Sequence, residues 1–150
     1  MSSSERSQST LESMRHRFKR LSRSIAESGN IEKGLREVIG AIRRAPEIMG
    51  EIKGEGGRKV AVFEATDTGR CISIIFDKGD ISSYVGRMDP YDLRFEATEA
   101  THLGILSGQI DPDGAFFTRK IRICGPLVEA VRLKNLFLRM QRQTIGHGQA

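Results

Sequence analysis

A helix that is apolar on two opposite sides needs two surfaces to cover it, and residues 127–140 spell such a helix. Gly125-Pro126 opens it, with Pro in the first turn, where no amide hydrogen is needed. At about 100° per residue, Leu127, Val131 and Leu138 fall on one side, and Leu133, Leu136, Phe137 and Met140 almost opposite. Arg132, Asn135, Arg139 and Arg142 share a narrow stripe between them. A sheet can cover one side. The other requires a second helix, a membrane, a partner subunit or a bound apolar molecule.

The segment leading into that helix has sharp local signals. Asp111-Pro112 is a helix start, with Asp as N-cap, so a short helix should carry Ala115, Phe116 and Phe117. Ile121 and Ile123 alternate with Arg122 and Cys124, as in a short strand. The string SGQIDPDGAFFTRKIRICGPL (107–127), followed by AVRLKNL, resembles the C-terminal half of the sterol carrier protein type 2 family, the nonspecific lipid-transfer proteins. The shared pieces come in order. A leucine-rich helix ends in Ile105-Leu106-Ser107-Gly108, a Pro-started segment with Phe runs from Asp111 to Phe117, a Lys-Ile-x-Ile-x-Gly strand spans Lys120 to Gly125, and an Ala/Leu-rich helix closes. The resemblance follows the order of elements from residue 31 to 142 and is close over 103–140. It implies a domain with an apolar tunnel for lipid between sheet and helices, the SCP-2 sterol-binding type. The accessory lipid carriers of bacterial ubiquinone synthesis are a similar type, which would make a quinone precursor or phospholipid the cargo.

Upstream, residues 1–8 are Ser-rich and read as a disordered tail. Ser9-Thr10-Leu11-Glu12 matches a capping box and starts a basic amphipathic helix over 9–29. Leu11, Met14, Phe18, Leu21 and Ile25 form its stripe, while Arg15, Arg17, Lys19, Arg20 and Arg23 occupy the rest. Docking on the domain, a short coiled coil or membrane contact would each suit it. Gly29 and Asn30 end it. The lipid-binding domain is expected over 30–145, with a tail at 146–150. A helix through Ile31, Leu35, Val38, Ile39 and Ile42 is expected first, with a break at Pro46. Strands at 59–66, 70–77, 81–85 and 93–97 and a Thr98-capped helix through Leu106 follow. The fold class is α+β: a single, antiparallel-rich sheet with helices on one face enclosing an apolar tunnel, plus the N-terminal helix.

Composition narrows the chemistry. A net charge of +5 permits nucleic acid, anionic membrane or acidic partners. The chain has no Trp and two Tyr, and its N-terminal third has one aromatic residue, Phe18, which argues against a nucleic-acid reader. No apolar run approaches the roughly 20 residues of a bilayer span, and MSSSERSQST lacks the apolar core of a secretory signal, so a cytoplasmic protein is expected, with peripheral membrane contact as one option. His16, His102 and His147 lie in unrelated segments, and Cys71 and Cys124 in strands, so neither a metal nor a cofactor is expected. Asp67-Thr68-Gly69 spells the aspartic-protease triplet, but one copy requires a homodimer, and a hairpin turn between two strands, where Asp and Gly belong, is the reading favoured over it. No nucleophile elbow or phosphate loop is present, so the chain is read as no enzyme.

Apolar-ligand binding remains. The candidate lipid-binding residues are Leu103, Leu106, Phe116, Phe117, Ile121, Ile123, Leu127, Val131 and Leu136, with the two Phe gating the tunnel. The candidate docking residues toward an anionic membrane or a partner are Phe18, Leu21, Arg20, Arg132 and Arg139. The rival reading is an interaction module, in which the terminal helices bind a protein partner or drive homo-oligomerisation.

Overall fold

The computed structural model describes residues 19–54 and 57–146, with side chains described to residue 141. The tail at 1–8, the capping box, Phe18, the Arg142 side chain and residues 147–150 lie outside the described residues. The elements run α1 (residues 19–27), α2 (Ile31–Arg43), α3 (Pro46–Gly54), β1 (Lys59–Ala65), β2 (Cys71–Asp77), β3 (Asp80–Val85), β4 (Leu93–Ala97), α4 (Glu99–Leu106), α5 (Pro112–Phe117), β5 (Ile121–Cys124) and α6 (Leu127–Gly146).

The helix starts are set by local chemistry. Thr98 and Asp111 cap α4 and α5 through side chains that accept from Thr101 and Gly114 N–H. Gly29, at φ +82°, ends α1 as expected. Asn30 does more than stop α1. Its side chain accepts from Lys33 N–H at 2.9 Å and caps α2.

The sheet order is β3-β2-β1-β4-β5. The first three strands form the expected meander, and β5 pairs antiparallel with β4. β4 lies parallel to β1, Phe63 opposite Phe95, so the sheet is mixed. Such a placement forces the chain to cross from one edge of the meander to the other side of β1. Residues 86–92 make that crossing over the outer face, where buried Ser73 donates to Gly86 O (2.8 Å) and accepts from Met88 N–H (3.0 Å). Val60 and Val62 are buried on the same outer face. Beyond them the face is charged: Arg94 pairs with Glu64 on the neighbouring strand and with Glu96 two residues along its own, and Arg122 approaches Glu96 at 4.0 Å. The inner face is apolar: Ala61, Phe63, Ile72, Ile74, Leu93 and Phe95 are buried there. The described helices pack on that side, where burial gains about 25 cal/mol per Å².

α2 packs its Ile31, Leu35, Val38 and Ile42 stripe into this core. The buried carboxylate of Glu99 on α4 accepts from Ile31 N–H at 3.0 Å, satisfying one of the free amides that start α2. The described turns of α1 dock on the domain. Ile25 is buried, Leu21 packs against the core, and Ser22 Oγ donates to Ser107 O at 2.7 Å.

Candidate functional site

The last helix decides what lies against the inner face. α6 turns Ala130, Leu133, Leu136 and Met140 inward, an i, i+3, i+6, i+10 stripe, with Phe137 half-buried beside it. The stripe begins with Ala, so the first turns of α6 bring little side-chain volume toward Phe63 and Phe95. Two clefts flank the helix as a result.

The first cleft, about 500 Å³, lies between α3, α6 and one end of β1 and β2. Ile52, Ala61, Phe76, Leu93, Leu133 and Leu136 form its apolar wall. Its rim is charged. Glu129 pairs with Lys59 (3.6 Å) and Arg132 (3.7 Å), and Arg139 pairs with Glu51 (2.8 Å). The second cleft, about 390 Å³, lies between α4, the α4–α5 turn, α5 and α6. Phe63 and Phe95, stacked with ring centroids 5.0 Å apart, line it with Leu106, Ile110, Phe137 and Leu138. Leu133 borders both clefts.

His102 is the one titratable group set deep in the second cleft's wall. It is buried, and its Nε2 lies 2.8 Å from Glu64 O. A carbonyl only accepts, so Nε2 carries the hydrogen and Nδ1 is bare in the neutral ring. Burial holds the imidazole below its ordinary pKa, against smaller opposing effects from that hydrogen bond, Asp67 and Glu99. Among the described residues, no Ser, Thr or Cys side chain is hydrogen-bonded to its ring. Burial likewise pushes the Cys71 thiol up, and both cysteines are free. Asp67 Oδ1 accepts from Glu99 N–H at 3.0 Å, and Gly69 takes φ +76°, so the protease-like triplet is a hairpin turn that also supports the start of α4. No group of three or more His, Cys, Asp or Glu side chains suited to a metal occurs among the described residues.

The sequence-derived candidates separate into three places. Leu106 lines the second cleft and Leu136 the first. Leu103 is buried against α2, with its Cδ2 at 2.6 Å from where a Cβ on Gly34 would stand. Ile121 and Ile123 are half-buried on the inner face of β5. Phe116, Phe117, Leu127 and Val131 are exposed, and the structure brings none of them into either cleft's wall. The sequence reading placed Leu127, Val131 and Leu138 on a side that must be covered. Leu138 alone of the three is, by the second cleft. Of the docking candidates, Arg132 and Arg139 stand at the first cleft's rim, Arg20 is exposed, and Leu21 faces the core. Phe63, Phe95, Ala130 and Phe137 were missed as wall residues. The strand alternation of the first two carried the signal, but not their meeting across a parallel pair.

The described helices thus pack on one face of a mixed five-stranded sheet, with two partly apolar clefts flanking the last of them. A profile of the SCP-2 sterol transfer family matches residues 40–138, and the chain belongs to that family. The sterol carrier protein domain 2 of Helicoverpa armigera is similar in structure, with TM-score 0.56 and 20% identity over 83% of this chain and 95% of that one. UbiJ-SCP2, a ubiquinone synthesis protein, gives TM-score 0.55 and 12% identity over 68% of this chain and 83% of that one. The stereoselective inverting sec-alkylsulfatase from Pseudomonas sp. gives TM-score 0.51 and 18% identity over 59% of this chain. The chain spans only 13% of that enzyme's length. None of the curated proteins compared matches the chain. No described helix is long and apolar enough to cross a membrane.

Proposed function

We propose that the protein is a non-enzymatic lipid carrier, holding one hydrophobic molecule beneath α6 in a tunnel formed by the two clefts. The observation that carries this reading is Leu133, whose side chain is the sill between two apolar-floored spaces on opposite flanks of one helix. Carriage in one tunnel requires that a rotamer change of Leu133 join them. The volumes fall in the range of roughly 300–1,000 Å³ typical of small-molecule sites. The SCP-2 family membership supports the same reading.

The energetics suit carriage without chemistry. Each CH₂ kept from water is worth about 0.8 kcal/mol, so a long acyl or isoprenoid chain costs on the order of 10 kcal/mol to expose. A protein space of bilayer-like polarity takes up and returns such a chain at little net cost. The cargo class is a lipid with one long apolar part: fatty acyl, phospholipid, sterol or isoprenoid quinone. Its partners are that lipid and, transiently, an anionic membrane surface. The likeness to UbiJ-SCP2 is one of fold, and a quinone precursor is one member of the class.

Native mass spectrometry of the purified protein, before and after mild denaturation, tests the proposal. A co-purifying lipid mass, together with saturable uptake of a fluorescent fatty acid by the stripped protein, is expected. Absence of both would overturn carriage.

A further inference from the structure

We propose that the face formed by α5, the turn into β5 and the first turns of α6 docks the protein onto an anionic bilayer. The proposal rests on the carrier reading for its purpose, because this face borders the mouth of the second cleft. Five large apolar side chains stand exposed there. Phe117 is 80% exposed, Val128 66% and Leu127 55%, with Phe116 and Val131 beside them. Phe116 and Phe117 meet edge to face at 5.7 Å.

The two helices are drawn alongside each other by Lys134 and Asp113, 2.9 Å apart. Phe117 lies one turn beyond Asp113, and Val131 one turn before Lys134, so both share the faces that the ion pair brings together. Asp111, Pro112 and Lys134 also line the second cleft. An acyl chain leaving a bilayer at this face would enter the cleft without crossing water.

Charge identifies the occupant. Arg119 and Lys120 follow Phe117 after Thr118, are exposed, and have no acidic partner among the described residues. The nearby acids are already engaged, Asp113 by Lys134 and Glu129 by Lys59 and Arg132. An exposed apolar cluster with an unopposed cationic fringe matches a membrane interface, where each Lys or Arg near anionic lipid is worth about 1 kcal/mol. A protein partner would need acidic side chains set against each cation. A bilayer supplies them at any orientation.

Co-sedimentation with vesicles of phosphatidylcholine, alone or with one third phosphatidylglycerol, tests this directly. The stripped full-length protein should bind the anionic vesicles about tenfold better than the neutral ones. The pairs F117S/V128S and R119E/K120E should each lose about tenfold in anionic-vesicle binding, while K33E/R36E, an equal charge change on exposed residues of α2, stays within about twofold. Fluorescent fatty acid delivered as monomer should still be taken up by all three variants, so failed docking and failed carriage are read separately. The proposal is overturned if F117S/V128S or R119E/K120E binds like the parent, or if the charge control loses as much. It is overturned equally if the parent binds neither vesicle, if the variants lose monomer uptake as well, or if sedimentation shows a self-associated parent that F117S/V128S dissociates.

Discussion

The ammonium of Lys134 on α6 stands 2.9 Å from the carboxylate of Asp113 on α5, bridging two helices at the rim of the second cleft. Both groups are partly exposed, so the pair contributes less than about 1 kcal/mol to stability. Its geometric effect is larger than its energy, because α5 is a six-residue helix with a single buried side chain, Ala115. Lys134→Ala should leave the thermal midpoint nearly unchanged and speed the release of bound fatty acid in stopped-flow fluorescence. Unchanged release would mean that the bridge does not guard the cleft.

Leu133 offers a sharper probe of the space itself. Truncation to Ala removes a buried side chain that already borders two voids, so the loss belongs at the low end for such changes, about 2 kcal/mol. In the proposed tunnel it would also leave the two clefts joined. Leu133→Ala should lower stability in denaturant melts while binding the longer members of a fatty-acid series relatively better than the parent does. An unaltered chain-length preference would show that Leu133 does not divide the space.

The packing of α2 on α4 rests on a glycine. A Cβ at Gly34 would stand 2.6 Å from Leu103 Cδ2, 3.4 Å from Ser28 Oγ and 3.7 Å from Ile25 Cγ2. Leu103 is itself buried and has little room to retreat. Gly34→Ala should therefore destabilise by about 1–3 kcal/mol, despite the better helix propensity of Ala. A neutral or stabilising result in chemical denaturation would show that the two helices can separate freely.

His102 makes stability depend on pH. Its buried ring favours the neutral form, so its folded pKa lies below the ordinary value near 6.5. The unfolded chain then binds more protons than the folded one just below that pH. The stabilising contribution is present above about 6.5 and is lost as pH falls toward the folded pKa. Thermal melts should show this decline, and His102→Gln should flatten it by removing the titrating group. An equally steep decline in the variant would assign the effect elsewhere.

Much of the fold was legible because its signals are local. Thr98 and Asp111 cap helices where their side chains can reach amides three residues on, and the alternation in β1 and β2 needs no distant partner. The resemblance over 103–140 supplied the family. The parallel pairing of β4 with β1 was not legible, since it depends on residues 86–92 crossing the sheet and no short pattern encodes that route. The site was half legible for a related reason. Periodicity says that Leu127, Val131 and Leu138 share a side of α6, yet only packing decides that the sheet takes the side of Ala130 and Leu133. Phe116 and Phe117 were read as a gate on composition, whereas the inward position in α5 belongs to Ala115.

Occlusion of the second cleft tests the central claim most directly. Leu138 is half-buried in its wall, so Leu138→Trp fills the space from a position that does not carry the core. Fluorescent fatty acid titrated into stripped parent and into folded Leu138→Trp, each checked by its thermal melt, gives the decisive comparison. The parent should bind saturably at one site, and the variant should bind at least about tenfold more weakly, a difference of roughly 1.4 kcal/mol or more. Equal affinities, or no saturable binding by the parent, would contradict a lipid held beneath α6.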